Sequence, residues 1–87
     1  MKNELDIHKI LKAFQKVIKH GTKRNDYHIL NGIKAQSDFD GYTVILSNDD
    51  VELTIFFHNR YDLKSKNKFA QKEFFEKIEV ILKRDYQ

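Results

Sequence analysis

Val51-Glu52-Leu53-Thr54-Ile55-Phe56-Phe57-His58 is the stretch on which the fold turns. Val51, Leu53, Ile55 and Phe57 alternate with Glu52, Thr54, Phe56 and His58, the period of a strand with one buried face. Just upstream, Tyr42, Val44 and Leu46 alternate with Thr43, Ile45 and Ser47. A two-residue turn at Asn48-Asp49 pairs Leu46 with Val51, Val44 with Leu53 and Tyr42 with Ile55. Every pair is apolar, and a slip of one residue would carry Glu52 into the core. The turn before it, Asp38-Phe39-Asp40-Gly41, ends in the residue that best tolerates positive φ, and sets Ser37 opposite Tyr42, Ala35 opposite Val44 and Ile33 opposite Leu46. Asn31-Gly32 reads either as a type I′ hairpin turn, the reading we favour, or as a bulge, so the meander has three or four strands.

Outside this meander the period lengthens to that of a helix. Ile7, Ile10, Leu11, Phe14, Val17 and Ile18 mark one face of a helix over 4–20, with Asn3 placed to cap it and Gly21 to end it. After a polar connection at 59–66, Phe74, Phe75, Ile78, Ile81 and Leu82 mark a second helix from about residue 67. Its exposed side balances its own charge through Lys72 and Glu76, Glu73 and Lys77, and Glu79 and Lys83, each four residues apart. The expected fold is therefore α+β: an N-terminal helix, a three- or four-stranded antiparallel β-meander and a C-terminal helix, with both helices on the Val51/Leu53/Ile55 face. The other face then presents Ile45 and Phe56, with Ile29 and Tyr27, and is more apolar than a monomer usually leaves bare.

The totals narrow the function classes. A chain of 87 residues is read as a single domain, 1–87, with a modest core and no room for separate cofactor and substrate domains. Cysteine is absent, which removes disulfides, thiolate metal sites and a cysteine nucleophile and fits a cytoplasmic location. No signal peptide and no membrane span are expected. Charge is segregated. Residues 1–36 carry eight Lys/Arg against three Asp/Glu, residues 37–63 one against six, and residues 64–87 seven against four.

Three constellations are candidate sites. Asp38, Asp40, His58, Asn59 and Arg60 are expected at one end of the meander, either as a small polar site for a ligand, metal or partner, or as a turn braced by Arg60. Asp38-Phe39-Asp40-Gly41 is not an aspartyl phosphotransferase motif, because it joins two hairpin strands, nor a calcium loop, because Tyr42-Thr43-Val44-Ile45 follows it. Lys9, Lys12, Lys16 and Lys19 form a stripe on the first helix that could track a phosphate backbone or simply face solvent. Ile45 and Phe56 are the candidate protein interface. His8, His20, His28 and His58 show no paired metal spacing, and no nucleophile elbow or phosphate-cradling loop exists, so no catalytic residue, metal or cofactor is expected.

Two resemblances bear on function. The helix–meander–helix order, with Lys64, Lys66 and Lys68, is similar in topology to double-stranded-RNA-binding domains, but Phe74 and Phe75 replace that family's small packing residues and its glycine-rich lead is missing. The runs Asp38-Phe39-Asp40-Gly41-Tyr42-Thr43-Val44 and Thr54-Ile55-Phe56-Phe57-His58-Asn59-Arg60-Tyr61, with the start Met1-Lys2-Asn3-Glu4-Leu5-Asp6, resemble a family of short bacterial proteins described only as a domain of unknown function. That resemblance implies a bacterial cytosolic protein and assigns no catalytic residues. The expected function is a non-enzymatic protein-interaction module that associates with itself or another protein. The alternatives are a weak, nonspecific nucleic-acid binder and a ligand or metal site at the turn end of the sheet.

Overall fold

A computed structural model describes residues 6–38, 41–56 and 60–84. The elements run α1 (Ile7–His20), β1 (Thr22–Arg24), β2 (Tyr27–Leu30), β3 (Ile33–Ser37), β4 (Thr43–Ser47), β5 (Val51–Phe56), β6 (Arg60–Ser65) and α2 (Lys68–Lys83). The strands form one antiparallel sheet in sequence order, so the α+β class and the flanking helices are as expected, but the meander has six strands rather than three or four. The Asn31-Gly32 alternative resolves to a hairpin. Leu30 pairs with Ile33, and both turn residues have positive φ (53° and 78°), as a type I′ turn requires.

The two added strands lie at the edges. β1 (Thr22-Lys23-Arg24) has no apolar residue, and β6 carries only Tyr61 and Leu63, so neither shows the alternation that marks a half-buried strand. Hydrogen bonding to a neighbour made them strands. β6 pairs with β5 over its whole length, from Phe56 and Arg60 to Val51 and Ser65.

Both central hairpins close two residues away from the expected register. Leu46 pairs with Leu53 and Val44 with Ile55, while Ala35 pairs with Leu46 and Ser37 with Val44. The cause lies in two side chains that lead their turns. Asn48 Oδ1 accepts the N–H groups of Asp50 (2.9 Å) and Val51 (2.9 Å), which pulls the turn forward onto Asp49-Asp50. Asp38 Oδ1 accepts those of Gly41 (2.8 Å) and Thr43 (3.3 Å), and Asp38 itself pairs with Thr43. Such Asx contacts are a local alternative to ladder bonds. A shift of two leaves every side chain on its original face, so the apolar surface stays matched.

α1 starts three residues later than expected. Asp6 is its cap, accepting the Lys9 N–H at 3.2 Å, and Asn3 lies outside the described residues. Asn67 caps α2 in the same way through the Ala70 N–H (2.8 Å). α1 ends at Gly21, where a Cβ would sit 2.5 Å from the Val17 carbonyl oxygen and 2.7 Å from that of Ile29. Glycine is needed there for close approach, because its φ of −78° is ordinary.

Both helices pack on one face, α1 over β2 and β3 and α2 over β3, β5 and β6, and they also touch each other. Ile10, Ala13, Phe14 and Val17 of α1 and Ala70, Phe74, Ile78 and Ile81 of α2 meet Ile33, Ala35, Leu46, Val51, Leu53 and Ile55 of the sheet. No buried polar side chain interrupts this core among the described residues.

Candidate functional site

The bare face of the sheet follows from the register. Ile29 of β2 stands beside Lys34 of β3, whose row continues through Ser47 and Glu52 to Lys64. The next row runs Gln36, Ile45, Thr54, Asp62, and the last joins Thr43, Phe56 and Arg60. Ile29 and Ile45 are half-buried by neighbours of their own sheet, whereas Phe56 is 41% exposed. Tyr27 lies under the Lys34 ammonium, 5.3 Å from its ring centroid, a distance at which cation and ring attract. Ile45 and Phe56 thus stand where alternation put them. Phe56 stands opposite Thr43.

The polar end is looser than the expected cluster. Asp38 and Arg60 lie at the same end of the sheet, but just past the end of β3 and at the start of β6. At about 4.8 Å per strand their backbones are about 14 Å apart, too far for Arg60 to brace Asp38. The Asp38 carboxylate is turned into its own loop instead, on Gly41 and Thr43. Asp40, His58 and Asn59 lie outside the described residues. Among the described residues no three His, Asp or Glu side chains gather in a way that could hold a metal ion.

The lysine stripe divides. Lys9 Nζ meets Glu79 Oε2 at 3.1 Å across the helix pair, so Glu79 is turned to α1 rather than to Lys83. Lys16 Nζ donates to the carbonyl oxygens of Ile81 (3.2 Å), Leu82 (2.9 Å) and Arg84 (2.8 Å). These are the acceptors that the end of a helix leaves without partners, and a cation there also suits the helix dipole. Lys12 and Lys19 are exposed. No pattern along α1 reveals the Lys16 contact, because its acceptors lie 65 to 68 residues further along the chain.

Sequence reading also missed the outer edge of β6. Lys66 N–H donates to the Asp50 carbonyl at 2.8 Å, so the even-numbered residues of β6 point their backbone groups at β5. By the alternation of an antiparallel ladder, Tyr61, Leu63 and Ser65 turn theirs outward. No described strand pairs with that edge.

Fold and surface together define a helix-backed antiparallel meander with one face that no described helix covers. The chain belongs to the family described as protein of unknown function (DUF3081), whose family model matches residues 5–87. No curated protein and no solved structure matches it. No helix among the described residues is long and apolar enough to cross a membrane.

Proposed function

We propose that this chain is a non-enzymatic protein-interaction module of the bacterial cytoplasm that assembles with a second copy of itself through its sheet. The observation that carries this reading is the one-sided covering of the sheet: both helices lie on one face, and Phe56, with Ile45 and Ile29 behind it, stands on the other. Charge favours a like copy as occupant. Arg24 of β1 and Asp62 of β6 stand at opposite sides of this face, so a copy turned about an axis along the strands sets each Arg24 against the partner's Asp62, with Arg60 and Lys64 flanking that carboxylate. The nucleic-acid reading has lost support, because Lys9 and Lys16 are engaged by α2. Sedimentation of the wild type and of Phe56→Ser over a range of concentrations tests the proposal. The wild type should associate and Phe56→Ser should associate more weakly. A monomer in both cases would overturn it.

A further inference from the structure

We infer that β6 pairs antiparallel with the β6 of a second copy, with Leu63 on the two-fold axis, joining two sheets into one of twelve strands. This deepens the self-association proposed above by naming a contact, and it does not depend on the Phe56 face.

Three observations carry it. The first is a ladder left open among the described residues: Tyr61, Leu63 and Ser65 each turn an N–H and a C=O outward along a six-residue edge. Unpaired edges of this length recruit strands unless something prevents it. The second is charge. Arg60, Asp62 and Lys64 share the bare face of β6. With Leu63 on the axis, Asp62 lies opposite the partner's Lys64 and Lys64 opposite the partner's Asp62. Both pairs fall at the non-hydrogen-bonded positions, where side chains approach most closely. Tyr61 and Ser65 then exchange backbone bonds, and all six outward groups are used. A shift of the partner by two residues in one direction sets Asp62 against the partner's Asp62 and Arg60 against its Lys64, which repel. A shift in the other sets Lys64 against the partner's Lys64 and leaves the Tyr61 backbone groups unused. The Leu63 register sets like charges opposite only where Arg60 faces the partner's Lys66, past the end of the strand. Charge and the full use of the outward backbone groups together therefore favour the Leu63 register with a second copy.

The third observation is the opposite edge. β1 has three residues, two of them Lys23 and Arg24, and offers no complementary partner of similar length. The pairing is isologous and closes at two copies instead of growing into a fibre. The axis stands perpendicular to the sheet, so the two bare faces lie side by side.

A charge swap tests the contact and its register together. Asp62→Lys and Lys64→Asp should each weaken association about tenfold or more, by turning both cross-strand attractions into repulsions. The double variant Asp62→Lys/Lys64→Asp should recover it. Thermal melts of each variant establish that it is folded. Amide exchange gives a readout without substitution: the Tyr61, Leu63 and Ser65 amides should be protected at high concentration and lose protection on dilution. Fast exchange at every concentration, or a swap that recovers nothing, overturns the contact. Association that Phe56→Ser breaks and both reversals leave intact would overturn the edge contact alone. A monomer under all conditions would overturn it together with the proposed function.

Discussion

Leu53 and Thr54 are neighbours on β5, yet they belong to two different surfaces. Leu53 lies on the covered face, fully buried between Leu46 and Leu63 and beneath the helices, while Thr54 stands half-buried between Ile45 and Asp62 on the face away from both helices. The same backbone builds both. What differs is what each face excludes: the covered face excludes water with helices, whereas the bare face relies on contact between its own side chains. Stability should therefore reside on the covered face.

Truncation is the sharpest way to break that contrast. Phe74→Ala removes a fully buried ring at the centre of α2 and should lower stability by about 3–5 kcal/mol, with Leu53→Ala at about 2–5 kcal/mol. On the bare face, Thr54→Ala should change stability by no more than about 0.5 kcal/mol. Urea denaturation of the three variants checks both sides, and a Thr54 effect equal to that of Leu53 would erase the distinction. Gly21→Ala comes next. Its methyl group would meet two backbone oxygens, which cannot yield as a flexible side chain does, so a loss of about 1–3 kcal/mol is expected.

The caps test how firmly the covering layer is held. Asp6→Ala and Asn67→Ala should each cost about 1 kcal/mol in thermal melts. Lys16→Met keeps much of the aliphatic stem but loses the donors to α2, and should cost about 1 kcal/mol, accompanied by faster amide exchange in the last turn of α2. Least of all, Arg60→Ala should lower stability by less than about 1 kcal/mol, since Arg60 is exposed and does not hold Asp38. If instead Arg60→Ala abolishes a ligand or partner interaction while leaving the melt unchanged, the polar end of the sheet is functional. Any nucleic-acid binding by Lys12 and Lys19 should be nonspecific and should fall steeply as salt rises from about 50 to 200 mM. Binding that persists unchanged over that range would contradict this electrostatic account.

The bare face was legible in the sequence because side-chain direction along a strand depends only on parity. Ile45 and Phe56 could be placed opposite the helices before any register was known, and an error of two residues did not move them. Register itself was less legible, because Asn48 and Asp38 settle it through bonds to their own turns, and an apolar pairing rule cannot see those bonds. β6 escaped notice for a related reason. At an edge, Asp62 and Lys64 are as acceptable as leucine, so composition there reports exposure and conceals the strand. The polar cluster at Asp38 and Arg60 was drawn too tight because the connection at 59–66 was read as a loop, when its strand carries Arg60 away from the turn. Asp40, His58 and Asn59 lie outside the described residues, so their part of that expectation stays a proposal.

The Lys16 contact has a consequence for the order in which this chain assembles. Each strand pairs with the next one along, so the meander can zip from hairpin to hairpin at low loop-closure cost. Lys16 and the carbonyl oxygens of Ile81, Leu82 and Arg84 meet only when the two ends of the chain have come together. The ammonium therefore works as a latch on a completed fold and contributes little to the rate-limiting nucleus. Loosening it should leave the folding rate nearly unchanged and appear almost wholly as faster unfolding.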